Sequence, residues 1–161
     1  METAAVVEGT GEFSSVMIPT PGACLLLPNI CVAEIVPWRR IKALPDTPSW
    51  CMGFLNWRGR MLSVVNFNSL NDAEIPKEVS ARCLVVMNRA RTREGPAFYA
   101  LASNGLPRMV QLLEDDLSNA DEGLGVADVM KVEVGTEIAT IPNLAYVEQE
   151  VALLKADTSE L

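Results

Sequence analysis

From Phe13 onward the chain is a string of short apolar segments punctuated by glycine, proline and asparagine. Ser14–Pro19 has the length and composition of a strand. Gly22–Leu27 and Ile30–Val36 are apolar runs split by the turn pair Pro28-Asn29, a pattern that predicts a hairpin. Thr47-Pro48 reads as a helix start, with Thr as cap and Pro in the first turn, so a short helix is expected up to about Gly53. Phe54–Trp57, the turn Arg58-Gly59 and Arg60–Phe67 read as strand, turn, strand. Ala81–Asn88 and Ala97–Ser103 are further strands around an arginine-rich turn. Asn104-Gly105 is a tight-turn signal, with Leu106–Leu113 as the return strand. Glu114–Gly123 reads as an acidic loop, and Gly125–Val134 and Glu137–Ile141 as a strand pair around Gly135-Thr136. Leu144, Val147, Val151 and Leu154 recur at helical spacing, which predicts one closing helix over Leu144–Lys155 with Asn143 as cap. Its apolar stripe is expected to pack on the domain.

About nine short strands with few helices indicate an all-β barrel or sandwich and not an α/β fold. The small, polar, acidic start predicts a flexible tail over residues 1–13, one domain over 14–156 and a short tail over 157–161. Composition agrees with a globular chain: 49% of residues are apolar and 21% charged. No apolar run reaches the roughly 18 residues of a membrane span, and Met1–Phe13 lacks the basic start and apolar stretch of a secretory signal. A cytoplasmic protein with no direct membrane insertion is the expectation.

Charge is unevenly placed. Residues 1–110 carry 11 basic and 9 acidic side chains, whereas residues 111–161 carry 2 basic and 12 acidic, for a net −8 overall. Such a balance argues against nucleic acid as a partner. Basic groups are scattered at Arg39, Arg40 and Lys42, at Arg58 and Arg60, and at Arg89, Arg91 and Arg93, the last read as a solvated face.

Catalytic signatures are scarce. The chain has no histidine, which removes the commonest general base and the usual partner of a nucleophile. No Gly-Lys-Ser/Thr phosphate loop occurs, and Gly9-Thr10-Gly11 lacks the third glycine of a dinucleotide loop. Asp115 and Asp116 read as solvated loop charges. Cys24, Cys31, Cys51 and Cys83 form no C-x-x-C pair and read as buried thiols acting as small hydrophobes. No catalytic residue, cofactor or metal site is expected.

Two segments stand out instead. In a strand over Val32-Ala33-Glu34-Ile35-Val36, alternate residues share a face. Cys31, Ala33 and Ile35 would form one apolar face, and Val32, Glu34 and Val36 the other. A lone carboxylate between two valines cannot sit in a closed core without a partner. The second face is therefore open to another protein, or Glu34 pairs internally with an arginine. The other segment holds Trp50 and Trp57, which with Trp38 are all the tryptophans, and ends in the turn Arg58-Gly59. Trp50 reads as core. Arg58 at a bend could grip a carboxylate in bidentate fashion.

These pieces, in this order, resemble the CheW-like family of chemotaxis coupling proteins, from about Ala23 to Leu154. The most specific part is Gly53 to Phe67. Gly53 matches the first glycine of the family signature, and Asn56, Arg58 and Gly59 match its Asn-Leu-Arg-Gly, with Trp57 in place of leucine. Leu62, Val64 and Val65 match aliphatic positions, Val32-Ala33-Glu34-Ile35 looks like the family's Val-x-Glu-Ile strand, and Leu44-Pro45 and Pro48 match the loop before the short helix. Ser63 replaces the family proline, Asn66 the aspartate and Phe67 the leucine, as in a divergent member. The resemblance implies two SH3-like five-stranded β-barrel lobes around a shared core. It implies a non-catalytic adaptor joining chemoreceptors to a CheA-type histidine kinase, recruited to receptor arrays at the inner membrane, for flagellar or type IV pilus output. It implies two partners, the regulatory domain of the kinase and the cytoplasmic signalling tip of a chemoreceptor. The protein-binding residues it implies are Val32, Glu34, Val36, Gly53, Asn56, Arg58 and Gly59. The alternatives are a regulatory CheW-like domain that competes with couplers or binds another partner, and a small enzyme.

Overall fold

The computed structural model describes residues 12–20, 23–71, 81–88, 98–119 and 123–157. In chain order the strands are β1 (Glu12–Thr20), β2 (Ala23–Pro28), β3 (Val32–Pro37), β4 (Cys51–Trp57), β5 (Arg60–Val65), β6 (Cys83–Met87), β7 (Tyr99–Ser103), β8 (Arg108–Leu113), β9 (Leu117–Asn119), β10 (Asp128–Val134) and β11 (Glu137–Pro142). The helices are α1 (Phe67–Asn71), between β5 and β6, and α2 (Leu144–Asp157), at the end. The fold is all-β, as expected. The arginine group Arg89–Arg93 and residues 158–161 of the expected tail lie outside the described residues, as does most of the expected N-terminal tail, while residue 157 of the expected C-terminal tail ends α2. Glu12 and Phe13 belong to β1, paired with Leu113 and Leu112.

Two sheets result, each curled into a lobe. The first, in the order β8-β1-β2-β11-β10-β9, draws on both ends of the chain. The second, β3-β6-β7-β5-β4, uses the middle. Alternation along the strands divides their apolar residues among three cores. Met17, Leu26, Leu112, Val132 and Ala139 fill the first lobe. Val36, Leu55, Trp57, Leu62 and Leu84 belong to the core of the second. Between the lobes lies a shared core, where Ile18 and Leu25 of the first sheet meet Val85 and Leu101 of the second and the α2 stripe Val147, Val151 and Leu154. Phe67 of α1 and Trp50 also lie there, so Trp50 is core as expected. The helical spacing of the final segment identified its packing face. Asn143 caps it, its side-chain oxygen accepting the Tyr146 N–H at 3.1 Å.

Several local expectations are corrected. No hairpin forms across Pro28-Asn29. A 3-10 turn over Asn29–Cys31 carries the chain from one sheet to the other, because the two apolar runs bury into different lobes. Asn104-Gly105 does not close a hairpin either. The Asn104 N–H donates to the Pro19 carbonyl at 3.2 Å, and the Ser103 hydroxyl lies 2.7 Å from the same oxygen. This anchor steers the chain across to β1, where β8 pairs. The short helix expected over 48–53 is a single turn, with the Cys51 N–H on the Pro48 carbonyl at 3.0 Å, and β4 begins at once. The Thr47 hydroxyl turns back to the Leu44 carbonyl and caps nothing downstream. The helix forms instead at Phe67, where Asn66 Oδ1 accepts the N–H groups of Asn68 and Ser69 at 3.1 and 3.3 Å. The acidic loop contains the short strand β9, and Asp116 accepts the Leu113 N–H at 2.8 Å. Among the cysteines, Cys51 and Cys83 are buried, while Cys24 and Cys31 are only partly so.

A polar clasp also joins the lobes. Asn71 of α1 donates to the Asp128 carboxylate at 3.0 Å and accepts the Ala127 N–H at 2.7 Å. Asp128 in turn accepts the Gly125 N–H at 2.7 Å. A Cβ at Gly125 would fall 2.2 Å from Asn71 Oδ1. The amide could swing away only by giving up these bonds. Asn71→Ala is therefore expected to cost about 1–3 kcal/mol, the penalty of orphaned polar groups. Gly125→Ala should lose much of the same energy, so the double mutant should cost clearly less than the sum, read by urea denaturation.

Burial also ties stability to alkaline pH. It pushes the Cys51 and Cys83 thiols up, and it raises the Tyr99 phenol furthest, helped by the negative charges of Glu148 and Cys31. The folded chain keeps these groups neutral, whereas the unfolded chain ionises thiols above about pH 8.5 and the phenol above about pH 10. The unfolded state then binds fewer protons, so stability should fall as pH rises through this window. Urea midpoints from pH 7 to 11 should be level at first and then decline steadily.

Candidate protein-binding hairpin

The order of the second sheet leaves β3 and β4 at opposite edges. Curling brings these edges together at the end where β4 turns into β5. The hairpin is two residues long, pairing Trp57 with Arg60 around Arg58-Gly59. Both turn residues have positive φ, 51° and 78°, as a type I′ turn requires. Glycine adopts this freely, but an arginine there costs on the order of 1 kcal/mol. Its contacts explain why it is held. The Arg58 guanidinium donates to Glu34 Oε1 at 3.1 Å and lies 4.8 Å from the centre of the Trp57 ring. The Trp57 indole N–H donates to the same Glu34 oxygen at 2.9 Å.

Glu34 is thus internally paired, the second of the two readings its sequence position allowed. The outward face of β3 also differs from the expected one. Val36 is 3% exposed and packs in the second lobe, and Val32 is half-buried against the shared core. Ala33, Ile35 and Pro37 face outward instead. The strand alternates as predicted, but with the opposite face inward, because Glu34 gains two donors at the seam and need not face solvent. A register irregularity between Val32 and Glu34 accompanies this.

Gly53 is buried at φ 145°, and a Cβ there would lie 2.6 Å from the Lys42 carbonyl oxygen. Lys42 and Phe54 exchange backbone hydrogen bonds of 2.8 Å at this point, so Gly53 admits a crossing backbone and offers no side chain to a partner. Asn56, Arg58 and Gly59 are exposed. Of the seven predicted residues, the fold gathers Glu34, Arg58 and Gly59 at one hairpin end, sets Asn56 beside them on the other face of β4, and uses Val32, Val36 and Gly53 internally.

Sequence reasoning named Arg60 only among the scattered basic groups, and it missed Phe98 and Met61. The Phe98 ring packs on Trp57 with centroids 5.0 Å apart, and the Arg60 guanidinium lies 5.3 Å from the Phe98 centroid. Met61 sits opposite Asn56 and is 47% exposed. Arg60 and Met61 were legible as hairpin flanks, but no local signal joins Phe98 to them.

The CheW-like domain family matches residues 15–148, and the chain belongs to that family. The scaffolding protein TtCheW from Thermoanaerobacter tengcongensis has a similar structure, with a TM-score of 0.68 at 14% identity over 84% of this chain and 91% of that one. That likeness shows the fold of two barrel-like lobes. No curated protein sequence matches the chain significantly. Among the described residues no helix is long and apolar enough to cross a membrane.

The Glu34 bridge to Trp57 and Arg58 makes a graded stability prediction. Glu34→Gln keeps an acceptor for the Trp57 N–H and loses only the exposed ion pair, so it should cost about 1 kcal/mol or less. Glu34→Ala leaves the part-buried indole N–H without an acceptor and should cost about 1–3 kcal/mol. Thermal denaturation of the two variants beside wild type checks the order.

Proposed function

We propose that the protein is a non-catalytic adaptor coupling chemoreceptors to a CheA-type histidine kinase. The observation that carries this reading is the family match over residues 15–148. The exposed β4–β5 turn, with Arg58 braced by Glu34 and Trp57, supports it by presenting a fixed polar contact on a rigid lobe. In this reading one surface binds the regulatory domain of the kinase, and the hairpin end with Glu34, Asn56, Arg58 and Gly59 contacts the signalling tip of a receptor. The protein works in the cytoplasm, held at receptor arrays on the inner membrane, and its output is flagellar or pilus-driven motility.

The competing reading, a regulatory domain that has lost one surface, would need departures such as Ser63 and Asn66 to change that surface. Both side chains are buried, at 2% and 3% exposure, and Asn66 keeps the capping chemistry of an aspartate. These departures therefore lie off the surface and give that reading no support.

The test is a pull-down with a CheA-type regulatory domain and, separately, a chemoreceptor signalling fragment. Wild type should bind both. Arg58→Glu places a second carboxylate beside Glu34 and should abolish receptor binding while kinase binding persists. The exposed position of Arg58, with 70% of its side chain accessible, predicts an unfolding cost of about 1 kcal/mol or less. Binding of wild type to neither probe would overturn the adaptor reading.

A further inference from the structure

The geometry points to Arg60, held over the Phe98 ring, as a second arginine of the hairpin end, the one whose charge is free to recognise a carboxylate on the receptor partner, since the charge of Arg58 is already offset by Glu34. The inference rests on the adaptor reading. Arg58 is ion-paired with Glu34, and Arg108 with Glu137. The charge of Arg58 is thus offset at home, and its guanidinium helps to close the lobe. Arg60 is exposed, and its described contact is the Phe98 ring.

This place over the ring decides what Arg60 can do. The contact is a cation–π attraction that holds the guanidinium near the ring without pairing its charge to a carboxylate, so it stays available to one. Phe98 is itself fixed by Trp57, which is fixed by Glu34. A pre-positioned arginine loses less side-chain freedom on binding than a free one. Counting Arg58, Arg60 and Glu34, the hairpin end is cationic by one charge on a chain of net −8. Charge complementarity therefore selects an anionic contact on the partner, and the planar fork matches a carboxylate. Exposed Met61 and Asn56 lie on the other face of the same ribbon.

The experiment measures affinity for the chemoreceptor signalling fragment and for the kinase regulatory domain across a salt series. Wild type is compared with Arg60→Ala, Arg60→Lys and Phe98→Leu. Arg60→Ala should weaken receptor binding about tenfold, the loss of one charge-assisted contact, and flatten its salt dependence. Arg60→Lys should recover the salt dependence but only part of the affinity. Phe98→Leu should weaken receptor binding with the charge unchanged. Kinase binding should match wild type in all three, which also reports an intact fold. If Arg60→Ala binds the receptor fragment as wild type does, the inference is wrong while the adaptor reading stands. Loss of both partners by Arg60→Ala would make Arg60 structural and would equally overturn it. If wild type binds neither probe, the adaptor reading falls and the inference falls with it.

Discussion

A five-stranded sheet that curls into a barrel must bring its two edges together, and in the second lobe the edge strands β3 and β4 share no ladder. Glu34 bridges them, one carboxylate oxygen accepting from both the Trp57 indole and the Arg58 guanidinium. Much follows from that bridge. It sets Val36 inward beside Leu55 and Trp57, holds an arginine at a positive φ, and leaves Ile35 outside. It also couples the strand and the hairpin that the family signature spans. The pair is half exposed, so its energy is modest. Its value is geometric, since it fixes where the turn points.

The first lobe solves closure differently. Its strands come from both chain ends, and β11 meets β2 in parallel at Thr140 and Leu25. The lobes therefore cannot fold as two consecutive halves. β8 must return to β1, and the anchor at Pro19 marks where the chain crosses. The shared core and the Asn71–Asp128 clasp then lock the lobes, with α2 closing one side. Such non-local pairing raises the entropic cost of folding but leaves a rigid platform for the hairpin.

Ser63 and Asn66 are interior, and Asn66 caps α1 as an aspartate would. Trp57 does more than replace a leucine. Its ring fills the lobe, its N–H holds Glu34, and its faces support Arg58 and Phe98. A single interior substitution thereby reshapes the surface chemistry of the hairpin end.

Strand content, the closing helix and its packing face, the Gly135 hairpin and the Arg58-Gly59 turn were all legible from periodicity and turn residues, because these depend on neighbours within a few positions. The family signature was legible too, since its residues are contiguous. Sheet membership was not. Pro28-Asn29 and Asn104-Gly105 look like hairpin turns locally, yet each carries the chain between sheets, because burial in separate cores outweighs local turn preference. The face of β3 was likewise invisible. Alternation shows that Val32, Glu34 and Val36 share a side, but which side is inward depends on donors 23 and 24 residues away at Trp57 and Arg58. Phe98 joins the hairpin from farther still. Local chemistry sets the elements, while long-range pairing sets which of their residues face a partner.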